Sequence, residues 1–122
     1  MNSTCLVLGA SDKPERTSFQ AIQRLTTKGI AVRAVGKRDG HVGEVQIEKE
    51  APALSPGSID TVTLYLNAVN QRAYYDYILQ PMPRRIIFNP GAENAELMAL
   101  AGEKGIDCEE ACTLVLLASG LY

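Results

Sequence analysis

The loop that follows the first apolar segment carries residue types that hold phosphate groups. It reads Gly-Ala-Ser-Asp-Lys-Pro-Glu-Arg-Thr-Ser over residues 9–18. A glycine lets the backbone turn tightly, and free N–H groups at the start of a following helix attract anions. Hydroxyl and cationic side chains add further donors. The candidate phosphate site is therefore Gly9, Ala10, Ser11, Lys13, Arg16 and Ser18. An ordinary strand-to-helix turn with solvated charges is the alternative.

This loop is not the dinucleotide fingerprint G-x-G-x-x-G. Only Gly9 agrees with it, because Ser11 and Pro14 stand at the other two glycine positions. Ser11 narrows the backbone's approach to a ligand, but its hydroxyl adds a donor. The position in the chain, rather than a motif, indicates phosphate binding.

Two cations, Lys37 and Arg38, follow the second apolar segment. A protein that binds NAD usually has an acid there for the ribose hydroxyls. Cations would instead pair with a phosphorylated ribose, as in coenzyme A or NADP. Asp39 could turn inward to such a ribose, and a solvated basic hairpin is the open alternative.

A third candidate is the turn Asn89-Pro90-Gly91, between a predicted strand and a predicted helix. Its N–H groups could reach a ligand across a crevice from Gly9. The same tripeptide is also simply a good turn.

Alternating strand and helix patterns must position these loops. Strands are expected at residues 4–8, 30–35, 59–66, 85–89 and 106–109, with a short strand of uncertain direction at 43–47. Helices are expected at 17–28, opened by a capping box of Thr17 and Gln20, and at 70–80, 93–104 and 110–119. This order predicts a doubly wound α/β fold, with a mostly parallel sheet in three αβα layers and one domain spanning 1–122.

Composition limits the function classes. The 122 residues are 46% hydrophobic and 21% charged, which suits one globular domain, and the net charge of −2 argues against a nucleic-acid binder. Residues 1–50 hold eight basic and six acidic side chains, whereas residues 51–122 hold four and eight, so an anionic ligand belongs in the first half. Three cysteines match neither a disulfide framework nor a zinc pattern, and no segment is long and apolar enough for a membrane span. These features predict a soluble cytoplasmic protein without a metal.

The chain resembles the small bacterial CoA-binding proteins of the Rossmann-like succinyl-CoA-synthetase type. The resemblance rests on the opening strand into Gly9-Ala10-Ser11, on Pro14-x-Arg16 and on the basic end of the second strand, and it covers nearly the whole chain. It implies a CoA pyrophosphate near Gly9 to Ser11 and Arg16, and a 3′-phosphate near Lys37. It also implies adenine or pantetheine against the ends of later strands, at 65–67, which includes Asn67, and at 89–91, which includes Asn89 and Gly91.

Two departures from that family matter. Many relatives have Asn-Pro after the second strand, where this chain has Gly36-Lys37. Larger members are ligases that pass phosphate through a histidine, but the only histidine here, His41, lies outside any matching segment.

The first hypothesis is therefore a stand-alone module that binds CoA or an acyl-CoA without catalysis, since no nucleophile, base and orienting group fall together. The alternative is a small NADP-dependent reductase that uses the same loop, with Tyr65 as the proton donor.

The apolar run at residues 114–118, with Leu121 and Tyr122, lies either deep in the core or on a self-association face, which favours a homodimer. The helix tyrosines Tyr74, Tyr75 and Tyr77 are expected to pack on the sheet. An inert thiol is expected at Cys112.

Overall fold

The computed structural model describes residues 3–122, in which strands and helices alternate along the chain. The strands are β1 (Cys5–Ala10), β2 (Val32–Gly36), β3 (Gly40–Val42), β4 (Val45–Glu48), β5 (Thr61–Leu64), β6 (Arg85–Phe88) and β7 (Asp107–Glu110). The helices are α1 (Thr17–Thr27), α2 (Ala68–Gln71), α3 (Tyr75–Leu79), α4 (Ala95–Glu103) and α5 (Thr113–Ser119), with a 3₁₀ turn at Arg72–Tyr74 between α2 and α3.

The seven strands form one sheet in the order β3-β4-β2-β1-β5-β6-β7. Every neighbouring pair is parallel except β3 and β4. The chain moves outward from β1 to β2 on one side and later returns to place β5 on the other side. The sheet therefore reverses its direction of growth at β1, and a crevice opens there at the carboxyl ends of the strands.

Strand residues alternate between two cores, one on each face of the sheet. Leu6 and Leu8 of β1 belong to the core that contains residues of α3 and α4, such as Ile78 and Leu97. Cys5 and Val7 belong to the other core, together with Ile22 of α1 and Leu117 of α5. Because both faces are covered, β5 and β6 are buried at every position and β1 at five of its six positions, rather than at every second one. The predicted doubly wound, three-layer α/β fold is confirmed.

The expected short strand at 43–47 is in fact a hairpin of β3 and β4, which turns at Gly43 and Glu44. The chain leaves β2, passes to the edge of the sheet, runs back as β3 and then returns as β4 between β3 and β2. This route explains how β4 can be parallel to β2 although only eight residues separate them. A helical crossover would need a longer connection.

The helices predicted at 70–80 and 110–119 need correction. The helix expected at 70–80 is divided by the 3₁₀ turn into α2 and α3, although its tyrosines pack against the core as expected. The helix expected from residue 110 starts only at Thr113, because β7 extends to Glu110 and Ala111 donates a backbone bond to Phe88 (3.2 Å).

The C-terminal segment, which is α5 and the three residues after it, is partly buried and partly exposed. Leu117 is buried in the core, while Val115 is 62% exposed and Leu121 is 71% exposed. The face of α5 expected for self-association is thus partly open, and the homodimer stays a prediction. Within residues 3–122, no helix has both the length and the apolar character needed to cross a membrane.

One close backbone approach fixes the geometry beside the crevice. A Cβ atom on Gly36 would collide with the carbonyl oxygen of Ala10 and would lie 3.1 Å from Cγ2 of Ile47. Only glycine lets the end of β2 lie this close to the end of β1.

We predict that Gly36→Ala lowers the free energy of unfolding by about 2–4 kcal/mol, because backbone rather than a flexible side chain must move. The matched control is Gly102→Ala in α4, where an added Cβ meets nothing within 4 Å. That change should leave stability unaltered or raise it by up to about 1 kcal/mol. Urea unfolding of both variants measures the difference, and equal stabilities would contradict the argument.

Candidate functional site

A crevice of about 490 Å³ lies at the carboxyl ends of β1, β2, β5 and β6. It is where the loop after β1 faces the loops after β5 and β6. Ten of the eleven residues expected to bind a cofactor line it: Gly9, Ala10, Ser11, Lys13, Arg16, Ser18, Lys37, Arg38, Asn67 and Gly91. The fold thus brings residues from four loops, far apart in sequence, to one place.

Gly9 is the residue that lets β1 turn into the crevice against β5. Its φ is +94°, and an added Cβ would lie 3.0 Å from the carbonyl carbon of Tyr65 and 3.1 Å from the nitrogen of Leu66. The backbone N–H of Tyr65 donates to the carbonyl of Leu8 (2.9 Å) just before this point. Both the conformation and the close contact require glycine here.

Helix α1 begins at the crevice and has no side-chain cap at its N-terminus. Arg16 is its N-cap residue, and no side chain accepts a hydrogen bond from the first turn. The first backbone bond into the helix is donated by Gln20 to the carbonyl of Arg16 (3.3 Å). The expected capping box of Thr17 and Gln20 is therefore wrong, because Thr17 already lies within the helix. Within the described chain, the N–H groups of Thr17, Ser18 and Phe19 have no acceptor.

Two other helices that begin at this edge, α2 and α4, have a side-chain cap. The Asn67 side chain accepts a bond from the N–H of Asn70 (2.9 Å) at the start of α2. The Asn94 side chain does the same for Leu97 (3.2 Å) at the start of α4. Among these three helices only α1 lacks a side-chain cap, and the macrodipole of its eleven residues adds positive potential there.

Positive charge concentrates around this opening. Lys13, Arg16, Lys37 and Arg38 are all exposed, and among residues 3–122 none of them has a carboxylate within 4.0 Å. Asp12 is the one acidic residue in the lining, and its carboxylate lies against Gly40, where an added Cβ would be 2.8 Å from Oδ2. The arrangement suits an anion that carries more than one charge.

Asp39 does not point to a ribose in the crevice. Its Oδ1 accepts a hydrogen bond from the backbone N–H of Lys49 (3.0 Å), in the segment after β4. Asp39 is also not among the residues that line the crevice, whereas Lys37 and Arg38 are.

Asn89 is the expected site residue that the fold does not bring to the crevice. It is buried, and its amide nitrogen donates to the Thr63 hydroxyl (2.7 Å) and to the Leu64 carbonyl (2.8 Å). Its amide oxygen accepts from the N–H of Thr113 (2.8 Å). Asn89 thus joins β5, β6 and the start of α5, and only its neighbours Pro90 and Gly91 reach the lining.

The Tyr65 hydroxyl does not serve the reductase alternative. Tyr65 packs against the core shared by α1 and α5, and its hydroxyl oxygen is fully buried. Burial is the main cause that raises its pKa to about 12. Tyr65 lines the crevice, but a proton donor must reach its substrate, and the buried hydroxyl oxygen of Tyr65 is not accessible there.

Several lining residues escaped the sequence reasoning. Asp12 and Thr17 lie within the predicted loop, but Leu66 and Asn70 depend on where β5 ends. The sequence does contain a signal for Asn70. Asn67 stands three residues before it, and this spacing is typical of an asparagine that caps the start of a helix.

A larger depression of about 740 Å³ lies at the opposite edge of the sheet, between the end of α1 and the β3–β4 hairpin. Its charged walls include Arg33 and Glu48, which pair with each other at 3.4 Å. It has neither the uncapped helix start nor the cluster of unpaired cations. We therefore place the candidate site in the smaller crevice. Within residues 3–122, no three His, Cys, Asp or Glu side chains gather as metal ligands.

Sheet order, helix layers and crevice together define a Rossmann-like α/β domain. Residues 3–118 match the family described as CoA binding domain, and the chain belongs to that family. No curated protein matches the chain.

Solved structures share the fold along nearly the whole chain. A crystal structure of an uncharacterized protein is 40% identical with a TM-score of 0.93, and the match covers 100% of this chain and 99% of that one. A hypothetical protein from Pyrococcus horikoshii OT3 is 21% identical with a TM-score of 0.82, covering 96% and 82% of the two chains. A protein from Thermus thermophilus is 18% identical with a TM-score of 0.83, covering 99% and 91%.

We predict that Arg16→Ser stabilises the ligand-free protein by about 1 kcal/mol relative to Arg16→Ala. Both variants lose the same cation, but only serine can accept a bond from the uncapped first turn, and Arg16 already has the extended backbone of a cap (φ −81°, ψ 141°). Urea unfolding of the pair measures the difference. Equal stabilities would mean that the N–H groups of α1 already have acceptors.

Proposed function

We propose that this protein binds coenzyme A or an acyl-CoA in the crevice and does not itself transform it. The observation that carries the proposal is the uncapped start of α1 among unpaired cations, in a chain that belongs to the CoA binding domain family. Coenzyme A carries a diphosphate and a separate 3′-phosphate, and the crevice offers two groups of donors.

The diphosphate binds at the loop after β1. The N–H groups of Thr17, Ser18 and Phe19 lie at the positive end of the α1 dipole, and Lys13 and Arg16 flank them. Gly9 lets the phosphates approach because it has no side chain between β1 and β5. Charge-assisted hydrogen bonds from fixed backbone donors are the strongest contacts available to phosphate oxygens here.

The 3′-phosphate binds beside Lys37 and Arg38 at the end of β2. Asp39 is held by Lys49, so the nearest side chains to a ribose phosphate are cations. The neutral parts of the ligand, adenine and pantetheine, lie against Asn67 and Gly91 at the ends of β5 and β6.

A binding role without catalysis is consistent with the residues at the crevice. Its lining includes one acid, Asp12, and within the described chain no cysteine or histidine takes part in it. His41 is exposed on β3, with its Nδ1 3.3 Å from the Gly43 carbonyl. No group therefore stands ready as nucleophile and base beside a thioester.

The proposal extends to the setting of the protein. A cytoplasmic location fits three free cysteines at Cys5, Cys108 and Cys112. A homodimer would cover the exposed Val115 and Leu121, and sedimentation at increasing protein concentration tests this separately from ligand binding.

We predict that Arg16→Ala and Lys37→Ala each weaken CoA binding by about 1–3 kcal/mol, because each removes a charge-assisted contact. Arg16→Ala should weaken dephospho-CoA equally, since the diphosphate is present in both ligands. Lys37→Ala should leave the affinity for dephospho-CoA unchanged. Titration calorimetry with both ligands measures these effects.

Lys28→Ala is the matched control, because it removes the same charge from the exposed far end of α1. It should bind CoA as the unmodified protein does. Weak and equal binding of CoA, dephospho-CoA, NADP and NAD by the unmodified protein would refute the proposed function. Silent Arg16 and Lys37 variants would show that the phosphates bind elsewhere.

A further inference from the structure

One polar side chain near the crevice is wholly buried and does not touch the space that a ligand would fill. Gln71, the last residue of α2, has no exposed surface. Its amide nitrogen donates to the Leu66 carbonyl (2.8 Å) and to the Ala92 carbonyl (2.8 Å). A buried amide at this depth is stable only because its donors are paired.

These two carbonyls belong to the two loops opposite the α1 cradle. Leu66 lies in the loop after β5 and lines the crevice. Ala92 lies in the loop after β6 and directly follows Gly91, which also lines it. The two hydrogens of one amide group therefore hold one loop to the other behind the wall of the site.

The amide orientation of Gln71 is fixed by a further partner. Nδ2 of Asn94 donates to the amide oxygen of Gln71 (2.8 Å) and also to the Tyr75 hydroxyl (2.9 Å). The Tyr75 hydroxyl in turn donates to the Glu96 carboxylate (2.8 Å). Reversing the Gln71 amide would place its oxygen against two carbonyl oxygens, so only one arrangement is stable.

We propose that Gln71 is a positioning residue for the ligand: it sets the separation of the loops after β5 and β6, and through them the CoA affinity of the crevice. The inference rests on the proposed function. Gln71 acts only through the backbone of Leu66 and Ala92, and it makes no contact with the ligand. Loops held at a fixed separation lose little freedom on binding, which preserves affinity.

The variant Gln71→Glu tests this proposal through the pH dependence of CoA affinity, which a purely structural role of Gln71 would not change. Protonated, the glutamic acid donates to one of the two carbonyls. Ionised, it places a negative oxygen against both. Burial and the carbonyls raise its pKa above the ordinary value of about 4.3, so the repulsive form appears as the pH rises.

We expect the CoA affinity of Gln71→Glu, divided by that of the unmodified protein, to fall about ten-fold between about pH 5.5 and pH 8. The ratio cancels the titration of the CoA phosphates, because both proteins bind the same ligand. Tyr75 and Glu96 are the titratable groups of the network that faces residue 71. Calorimetry with CoA at each pH, on protein whose folding is checked by circular dichroism, measures it.

Two further variants complete the experiment. Gln71→Met has a similar size but no donors, and it should bind CoA about ten-fold more weakly at every pH. It carries the test if the glutamate variant does not fold. Thr61→Val removes a buried hydroxyl that accepts from Nε of Arg85 (3.3 Å) at the opposite end of β5, so it should lower stability and leave CoA affinity unchanged.

The outcomes separate the two claims. If the unmodified protein binds CoA but both Gln71 variants bind it equally well at all pH values, the positioning role is wrong and the proposed function stands. If Thr61→Val weakens binding as much as Gln71→Met, the effect is general loss of stability and the positioning role is again wrong. If the unmodified protein does not bind CoA, both claims fall together.

Discussion

The arrangement of the site depends on three backbone N–H groups at the start of α1 that nothing in residues 3–122 satisfies. Unpaired donors at a helix start are tolerable only where water or a ligand reaches them. Near the end of β1, Gly9 has a positive φ and carries the chain past Tyr65 and Leu66 with no side chain between them. Arg16 is the N-cap residue, and its guanidinium cannot cap the helix because it has donors but no acceptor. An open helix start and a nearby cation thus result from one stretch of backbone.

Polar atoms at this edge of the sheet fall into two groups with different roles. Gln71, Asn89 and Asn94 are buried, and each bonds to backbone groups of the surrounding elements. Lys13 and Lys37 are exposed and pair with no carboxylate in the described chain. The first group holds the loops in place, and the second remains available for an anion. Because the hydrogen bonds of the first group are already made, binding of the proposed ligand would require little rearrangement of the backbone.

The sequence predicted the layers of the fold and the first loop because these depend on local patterns. Apolar runs such as residues 4–8 indicate strands buried on both faces, and glycine at residue 29 indicates a helix end. The hairpin of β3 and β4 was missed because its strands have three and four residues, too few for a periodic signal. Asn89 was assigned to the site because it opens the turn at 89–91, whose N–H groups could reach a ligand. An asparagine at a strand end can instead face the neighbouring strand. Only the spatial position of Thr63 and Thr113 decides between these, and both are set by the order of strands in the sheet.

The fold and the candidate site depend on largely different residues. The fold needs apolar side chains of suitable volume along the central strands, a condition that many sequences meet. Accordingly, chains only 18–21% identical share it. The candidate site instead needs a glycine at residue 9, a helix start without a cap and cations in the loops after β1 and β2. None of these contributes to the core, and an uncapped helix start costs stability. A destabilising helix start next to unpaired cations is the physical argument for the proposal that this crevice binds an anionic ligand.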